Sequence, residues 1–298
     1  MDPQQGGDAG DAAFRAAPGS LYVVATPIGN LRDVTLRALD ILRSVDIIAA
    51  EDTRVTAKLL SHYQITTRSR SLHAHNEASR RAAIIADLAA GRSVALVSDA
   101  GTPAISDPGA KLVRACADAG HRVVPIPGAS AIAAAVSVSG LAAERFVFIG
   151  FLPTQAKARG ELLAAFAAAP IALVLYEAPQ RVAATVVFLA QALGDERTLI
   201  IAREISKTFE SISRLALGDA ARWIAEDSHR SRGEFVLIVE APPHPTKGEA
   251  LPADADRLLG LLLDELPPAR AARVAAALTG APRDALYARA LALRGATL

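Results

Sequence analysis

Short apolar runs alternate with helical periods along most of the chain. Leu21–Ala25 (LYVVA) is apolar without a break and bounded by turn residues, so it reads as a buried strand. Thr26–Asn30 turns the chain, and Leu36, Leu39, Ile41 and Leu42 then recur at helical spacing within Thr35–Val45. The alternation continues with strand Ile47–Ala50, helices Thr56–Tyr63 and Glu77–Ala90, strand Ser93–Val97 and a long turn, Ser98–Gly109. Helix Ala110–Ala119, strand Arg122–Pro125 and helix Ser130–Val138 complete a first series. A second series runs strand Phe146–Gly150, helix Glu161–Ala168, strand Ile171–Tyr176, helix Arg181–Ala192 and strand Thr198–Arg203. Its last strand, Phe235–Glu240, has an antiparallel style, with Ile205–Leu217 expected to pair nearby. This pattern predicts the α/β fold class with mostly parallel sheets.

A chain of 298 residues suggests about two domains. Residues 1–19 read as a disordered Gly/Asp-rich tail, 20–142 as an N-terminal α/β domain and 143–241 as a C-terminal α/β domain. Residues 242–250 read as a Pro-rich linker and 251–298 as a small helical module. The centre of that module, Pro268–Leu293, reads helix, turn at Thr279–Pro282, helix, the shape of a helix-turn-helix.

Composition removes several classes. Apolar residues make up 51% and net charge is only +1, so disorder of the whole chain is excluded. Cys116 is the one cysteine, which excludes a disulfide scaffold and a Cys-based zinc site; its position mid-helix on an apolar segment reads as core. Near-neutral charge gives no global signature for nucleic acid, so such binding needs a local patch. The first 19 residues lack the basic and apolar regions of a signal peptide. Val123–Ala143 is uncharged and nearly long enough to cross a bilayer, but Pro125, Pro127, Gly128 and Gly140 break it. A strand, a turn and a small-residue helix explain it better, and a soluble cytoplasmic protein without a membrane partner is expected.

In open α/β sheets ligands sit at the carboxyl ends of the strands. Four turns there are rich in Gly, Pro and small residues: Thr26–Asn30, Ser98–Gly109, Pro125–Ser130 and Phe151–Thr154. Small residues let bare backbone approach a ligand, a pattern suited to an adenosine-type molecule. The chain has neither a Walker phosphate loop nor a G-x-G-x-x-G fingerprint after a strand.

Taken together, LYVVATPIGNLRDVTLRALDIL, VDIIAAEDTR, HAHNE, VALVSDAGTPAISDPGAKLV and VVPIPGASA resemble the tetrapyrrole-methylase superfamily. Further matches are GFLP at Gly150–Pro153, YEAPQR at Tyr176–Arg181, AREISKTFE at Ala202–Glu210 and GEFVLIVE at Gly233–Glu240. Within the superfamily the match is close to the bacterial branch that 2′-O-methylates a decoding-centre cytidine of small-subunit (16S) ribosomal RNA. The resemblance implies two α/β domains of the class III methyltransferase type, S-adenosyl-L-methionine as methyl donor, the 30S subunit as partner, and a homodimer. The superfamily's G-D-P loop falls on Gly101-Thr102-Pro103, with Ile105 beside the donor. Thr102 departs from the acid of the tetrapyrrole enzymes and favours the RNA branch. The P-G-x-S-A loop falls on Pro127–Ala131, so Ser130 and Ala131 are implied donor ligands, with Pro27 on the first turn and Tyr176 on the closing domain. Ala129 stands where proline is frequent, and Gln180 where histidine is frequent, so Gln180 is left outside the implied site.

A ribose hydroxyl is a weak nucleophile, and methylating it requires alignment and help with a proton. Asp52, Lys207 and Glu177 are the candidates for that chemistry. Asp52 reads equally as a helix cap, Lys207 as a solvated strand residue, and Glu177 as a donor ligand or an ion-pair partner of Arg181. Arg54, Arg181 and Lys207 are candidate RNA contacts. His73, His75 and Glu77 lack the further ligand cluster a metal site needs, so no metal is expected. Arg270, Arg273, Arg283, Arg289 and Arg294 make the C-terminal module basic and suggest ribosome or RNA contact. Two other readings compete: methylation of a tetrapyrrole or diphthamide precursor, and a non-catalytic nucleic-acid-binding regulator built on residues 251–298.

Overall fold

The computed structural model describes residues 14–72, 77–141, 145–242 and 255–295. They fall into two compact units, one ending at Ala241 and one beginning at Pro242.

The first unit opens with β1 (Ser20–Val24), α1 (Leu36–Ser44), β2 (Ile47–Ala50), α2 (Thr53–His62), β3 (Ser69–Ser71), α3 (Glu77–Ala89), β4 (Val94–Val97), α4 (Ala110–Asp118), β5 (Arg122–Ile126) and α5 (Ala131–Val138). The strands form one parallel sheet in the order β3-β2-β4-β1-β5. Helices cover both faces. Leu39, Ile41, Leu42, Leu59 and Leu60 of α1 and α2 pack on one side, Ile84, Leu88, Leu112 and Cys116 of α3 and α4 on the other. That is why β2 (IIAA) and β4 (VALV) are continuous apolar runs buried at every position. Each fully buried Leu or Ile contributes about 2 kcal/mol. Local chemistry sets the helix starts: the Thr35 hydroxyl accepts from the Ala38 amide at 3.2 Å to cap α1.

The unit continues with β6 (Phe146–Phe151), α6 (Ala156–Ala164), β7 (Ala172–Glu177), α7 (Val182–Leu193), β8 (Thr198–Arg203), β9 (Ser211–Ala216), α8 (Ala220–Ala225) and β10 (Phe235–Val239). Their sheet has the order β6-β7-β10-β8-β9. Only β6 and β7 pair in parallel; β10 runs antiparallel between β7 and β8. The expected partner of the last strand therefore sits elsewhere: β9 pairs antiparallel with β8, and residues 204–210 are a loop. The helix expected at Glu161–Ala168 begins earlier, at Ala156, and ends at Ala164, with Ala165 as its C-cap. The polar edge strand β3 (SRS) has no apolar signature, and α8 (AARWIA) is apolar but at six residues too short to show a helical period. Arg70 of β3 is held instead by buried Asp87 at 2.8 Å.

The last helix of the first series, α5, packs on the second sheet. Ala131, Ile132, Ala135 and Val136 pack against Val174, Ile200, Val236 and Ile238 of the second sheet. Residues 123–138 of the uncharged stretch are thus β5, a turn and α5, and no helix among the described residues is long and apolar enough to cross a membrane.

The second unit contains α9 (Ala255–Glu265), α10 (Pro268–Thr279) and α11 (Arg283–Gly295). Gly280 ends α10 in the left-handed conformation, φ +72°. The turn at 280–282 lies where the sequence places it, and α9 adds a third helix. Leu259, Ala272, Ala275, Leu286 and Ala290 form the core, and Arg289 grips the Asp256 carboxylate with two bonds of 2.8 and 2.6 Å.

Cys116 is fully buried on α4, and burial pushes its thiol up to about 11. The native protein is expected to be inert to a thiol reagent at pH 8 and to react with one equivalent after unfolding in guanidinium, a stoichiometry read directly by absorbance.

Candidate active site

The ends of both sheets face one cavity of about 450 Å³, within the range of small-molecule sites. The first half contributes Ile28, Ala100–Thr102, Ile105–Asp107, Ser130 and Ala131; the second contributes Phe151, Tyr176–Gln180, Ala202, Ile205 and Glu234–Val236. The antiparallel β10 starts beside the carboxyl ends of β7 and β8, with Phe235 opposite both Glu177 and Arg203. All contributing strands therefore bring their ligand-facing ends to the same place.

The loop after β4 is built as a rim. Gly101 pairs with Thr26 through two backbone bonds of 2.9 and 3.0 Å, and the Thr26 hydroxyl donates to the Ser98 carbonyl at 3.1 Å. Gly101 has φ +80°, and a Cβ there would lie 3.3 Å from Ile28 Cγ2, so the wall requires bare backbone. Ala104 and Ser106 hold φ +68° and +63°, at a cost of about 1 kcal/mol each. This folding turns Ile105, between them, outward along the cavity wall at 40% exposure. The Thr102 hydroxyl donates to the Ala129 carbonyl at 3.3 Å and ties the rim to the turn before α5. Ser130 precedes α5 without a side-chain cap bond, so that helix start offers amide donors beside the cavity. Opposite stands an aromatic wall: the Tyr176 ring lies 5.7 Å from Phe151 and 4.9 Å from Phe148.

Six of the seven residues implied as donor ligands line this cavity: Gly101, Thr102, Ile105, Ser130, Ala131 and Tyr176. Pro27 is not among the lining residues; it is half-buried between Thr26 in the bridge to Gly101 and Ile28 in the wall. Gln180, left outside on sequence, lines the cavity.

The residues considered for chemistry are placed differently. Asp52 does not line the cavity. It caps α2, accepting from the Arg54 amide at 2.8 Å, and it pairs with the Arg54 guanidinium at 2.6 Å. That guanidinium holds its carboxyl down at about 2, which makes it a poor proton acceptor. Glu177 borders the cavity, but its carboxylate is only 1% exposed. It accepts from the Ala178 amide at 2.8 Å and the Thr185 hydroxyl at 2.6 Å, and pairs with Arg181 at 3.2 Å. Arg181 also donates to the Leu152 carbonyl at 2.7 Å, so its fork is spent inside the protein. Lys207 sits between Glu204 and Glu234 at 2.9 Å from each. Burial alone would lower its pKa, but the two carboxylates outweigh that and hold it above the ordinary lysine value, as an ammonium. Its stem lies over Gly29, where a Cβ would stand 2.4 Å from Lys207 Cγ. The neighbouring Ser206 hydroxyl donates to Asp33, so the 204–210 loop is fastened to the first half beside the cavity. Arg54 is 89% exposed. His73 and His75 lie outside the described residues; Glu77 opens α3.

Two titratable residues of the cavity were missed on sequence, Glu234 and Asp107. Asp107 sits on the rim, and burial, reinforced by the charges of Glu51 and Asp99 and opposed by a Ser98 hydrogen bond, pushes its carboxyl up to about 6. Glu51 is itself raised, mainly by burial. Tyr176, across the cavity, is pushed up to about 12 by burial and by the charge of Asp107. In the sequence Asp107 stands before Pro108 and Gly109, where an aspartate reads as turn chemistry.

Two α/β halves around a cleft of bare backbone and aromatic rings define a small-molecule-binding α/β protein with its ligand at the strand ends. Comparison with known proteins sharpens this. The model of the tetrapyrrole (corrin/porphyrin) methylases matches residues 20–221, and that of the RsmI C-terminal HTH domain matches residues 249–294. The chain is 48% identical over 277 residues to a ribosomal RNA small subunit methyltransferase I of Escherichia coli O157:H7, covering 93% of this chain and 96% of that one. A protein of the same name from Pseudomonas aeruginosa is 47% identical, with coverage of 93% and 98%. Among solved structures, cobalt precorrin-4 methyltransferase shares the fold at TM-score 0.58 and 13% identity, over 74% of this chain and 94% of that one. Uroporphyrin-III C-methyltransferase of Thermus thermophilus, solved with S-adenosyl homocysteine, does so at 0.53 and 20%, over 74% and 97%. The chain belongs to the tetrapyrrole methylase family, in the branch of the ribosomal RNA small subunit methyltransferase I proteins.

Proposed function

We propose that this protein transfers a methyl group from S-adenosyl-L-methionine to the ribose 2′-hydroxyl of a cytidine in the decoding centre of 16S ribosomal RNA. The observation that carries the reading is the near-full-length similarity to proteins named for small-subunit ribosomal RNA methylation, C-terminal module included. The cleft fits the donor. A Cβ at Gly101 would crowd the wall, the α5 start offers uncapped amides for a carboxylate, and Tyr176 and Phe151 offer faces to an adenine. The donor supplies a methyl group activated on a sulfonium sulfur. Gly101, Thr102, Ile105, Ser130, Ala131 and Tyr176 hold it, with Pro27 setting the first turn. Glu177 and Arg181 stiffen the Tyr176 end of β7. Asp52 orients Arg54, which with the Lys207 ammonium contacts RNA phosphate. The protein acts in the cytoplasm as a homodimer on the 30S subunit. Thr102, where the tetrapyrrole enzymes carry an acid, favours RNA over a tetrapyrrole, and the donor-shaped cleft disfavours a regulator without catalysis.

The test is transfer from methyl-labelled S-adenosyl-L-methionine to purified 30S subunits lacking the modification, with free 16S RNA and a tetrapyrrole as parallel substrates. Label is expected in 16S RNA and to survive alkali, because a 2′-O-methyl blocks attack on the adjacent phosphate. Label on the tetrapyrrole alone would overturn the reading.

A further inference from the structure

A nucleotide that enters the cleft from solution needs polar side chains that line the cavity, remain exposed and are not already spent. Thr102 donates to the Ala129 carbonyl, and Glu177 is closed in by Ala178, Thr185 and Arg181. Glu234 is tied to the Lys207 ammonium at 2.9 Å. Gln180 differs from these. It lines the cavity, it is exposed, and among the described residues its carboxamide has no hydrogen-bond partner. The backbone beneath it is nevertheless fixed. The Arg181 amide donates to the Ala178 carbonyl at 2.9 Å, closing a β-turn with Pro179 and Gln180 at its centre. Pro179 presets the first of those two central positions. The Ala178 amide donates to the Glu177 carboxylate at 2.8 Å, and the Arg181 guanidinium donates to the Leu152 carbonyl at 2.7 Å. Arg181 thereby ties the turn that carries Gln180 to the end of β6, where Phe151 lines the same cavity at 50% exposure. A free carboxamide and a half-exposed phenyl ring therefore stand on one fixed lip of the cleft.

We propose that Gln180 hydrogen-bonds the base edge of the target nucleotide and so aligns its ribose with the methyl donor, an inference that rests on the ribose-methylation reading. Unstacked RNA bases are recognised by hydrogen bonds to their Watson–Crick edges and by contact with aromatic rings. On cytosine that edge sets an amino donor beside a ring-nitrogen acceptor. The Gln180 amide oxygen accepts from the amino group while its NH₂ donates to the ring nitrogen, two bonds in one plane. The same carboxamide turned over fits a uracil, so Gln180 holds the base rather than choosing it. Its place separates it from the donor. A small ligand is largely buried in its cavity, whereas Gln180 is exposed, on the side from which RNA arrives. Because the turn is already rigid, binding orders one side chain and no backbone, which keeps the entropic cost of the contact low.

The experiment compares wild type, Gln180→Leu and Gln180→His at pH 8, where an exposed imidazole is neutral and offers one donor and one acceptor. Initial rates of methyl transfer to 30S subunits lacking the modification give kcat and the subunit KM. Calorimetry gives the affinity for S-adenosyl homocysteine and the thermal midpoint. The subunit is far larger than the cavity, so its docking does not hang on one carboxamide, and lost alignment shows in kcat. Gln180→Leu should lower kcat by about 10- to 100-fold and leave the subunit KM and the S-adenosyl homocysteine affinity as in wild type. Gln180→His should recover part of the rate. The three midpoints should coincide, because Gln180 has no hydrogen bond within the described fold to lose. Transfer by Gln180→Leu at the wild-type kcat would overturn the proposal. So would a Gln180→His variant no faster than Gln180→Leu, since hydrogen bonding would then not be what the side chain supplies. Weakened S-adenosyl homocysteine binding would make Gln180 a donor ligand, and a lowered midpoint would make it a structural residue; either result overturns the proposal. Absence of transfer to 30S subunits by wild type would instead bring down the ribose-methylation reading beneath it.

Discussion

Arg181→Met should destabilise the first unit by about 3 kcal/mol, because it strands a buried carboxylate. Glu177 is 3% exposed, and its only charged partner among the described residues is Arg181 at 3.2 Å. The Ala178 amide and the Thr185 hydroxyl remain in the variant, but neither carries charge. The same substitution removes the donor to the Leu152 carbonyl, loosening the strand end that carries Phe151. For a unit of this size the loss lowers the thermal midpoint by roughly 6–12 °C. The mechanism makes a second prediction that the packing term alone does not. Glu177→Gln in the Arg181→Met background removes the unpaired charge while keeping the Thr185 bond, so it should recover most of the loss. Calorimetric midpoints of the two variants decide it. If the double variant melts no higher than Arg181→Met, the loss came from packing and the charge argument fails.

How much of this was legible beforehand depends on which physical term controls each residue. β2 and β4 were legible because helices on both faces demand unbroken apolar runs. β3 (SRS) was not, because its place comes from backbone pairing with β2 and from the Arg70–Asp87 ion pair, neither of which leaves a periodicity. The segment 205–217 was read as one strand near the last. Its first part instead belongs to the loop 204–210, with Glu204 and Ser206 at positive φ, a conformation that side-chain type does not signal. The cavity rim was legible, since bare turns at strand ends are where ligands go. Two weighed alternatives proved to be the local geometry: Asp52 as a cap and Glu177 with Arg181 as an ion pair. Asp107 was illegible for a definite reason. Its basicity comes from burial and from Glu51 and Asp99, gathered by the fold from other segments, so no local pattern carries it.

The second large effect concerns donor binding. Gly101→Ala should weaken S-adenosyl homocysteine binding by about 10- to 100-fold, measured by calorimetry. Two terms act together. At φ +80° an alanine costs about 1–2 kcal/mol, and relief of that strain would break the paired bonds to Thr26 that hold the rim. The new methyl would also stand 3.3 Å from Ile28 Cγ2, and Ile28 is itself part of the cavity wall, so yielding moves it into ligand space. The terms separate by comparison with Gly120→Ala, in the turn after α4. That site has φ +79° but nothing within 4 Å of the added atom, so it carries the backbone cost without the crowding. Gly120→Ala should lower the thermal midpoint and leave affinity alone. Equal affinities in both variants would mean that the Gly101 wall does not touch the donor, and the cofactor assignment of the rim would have to move to the Ser130 side of the cleft.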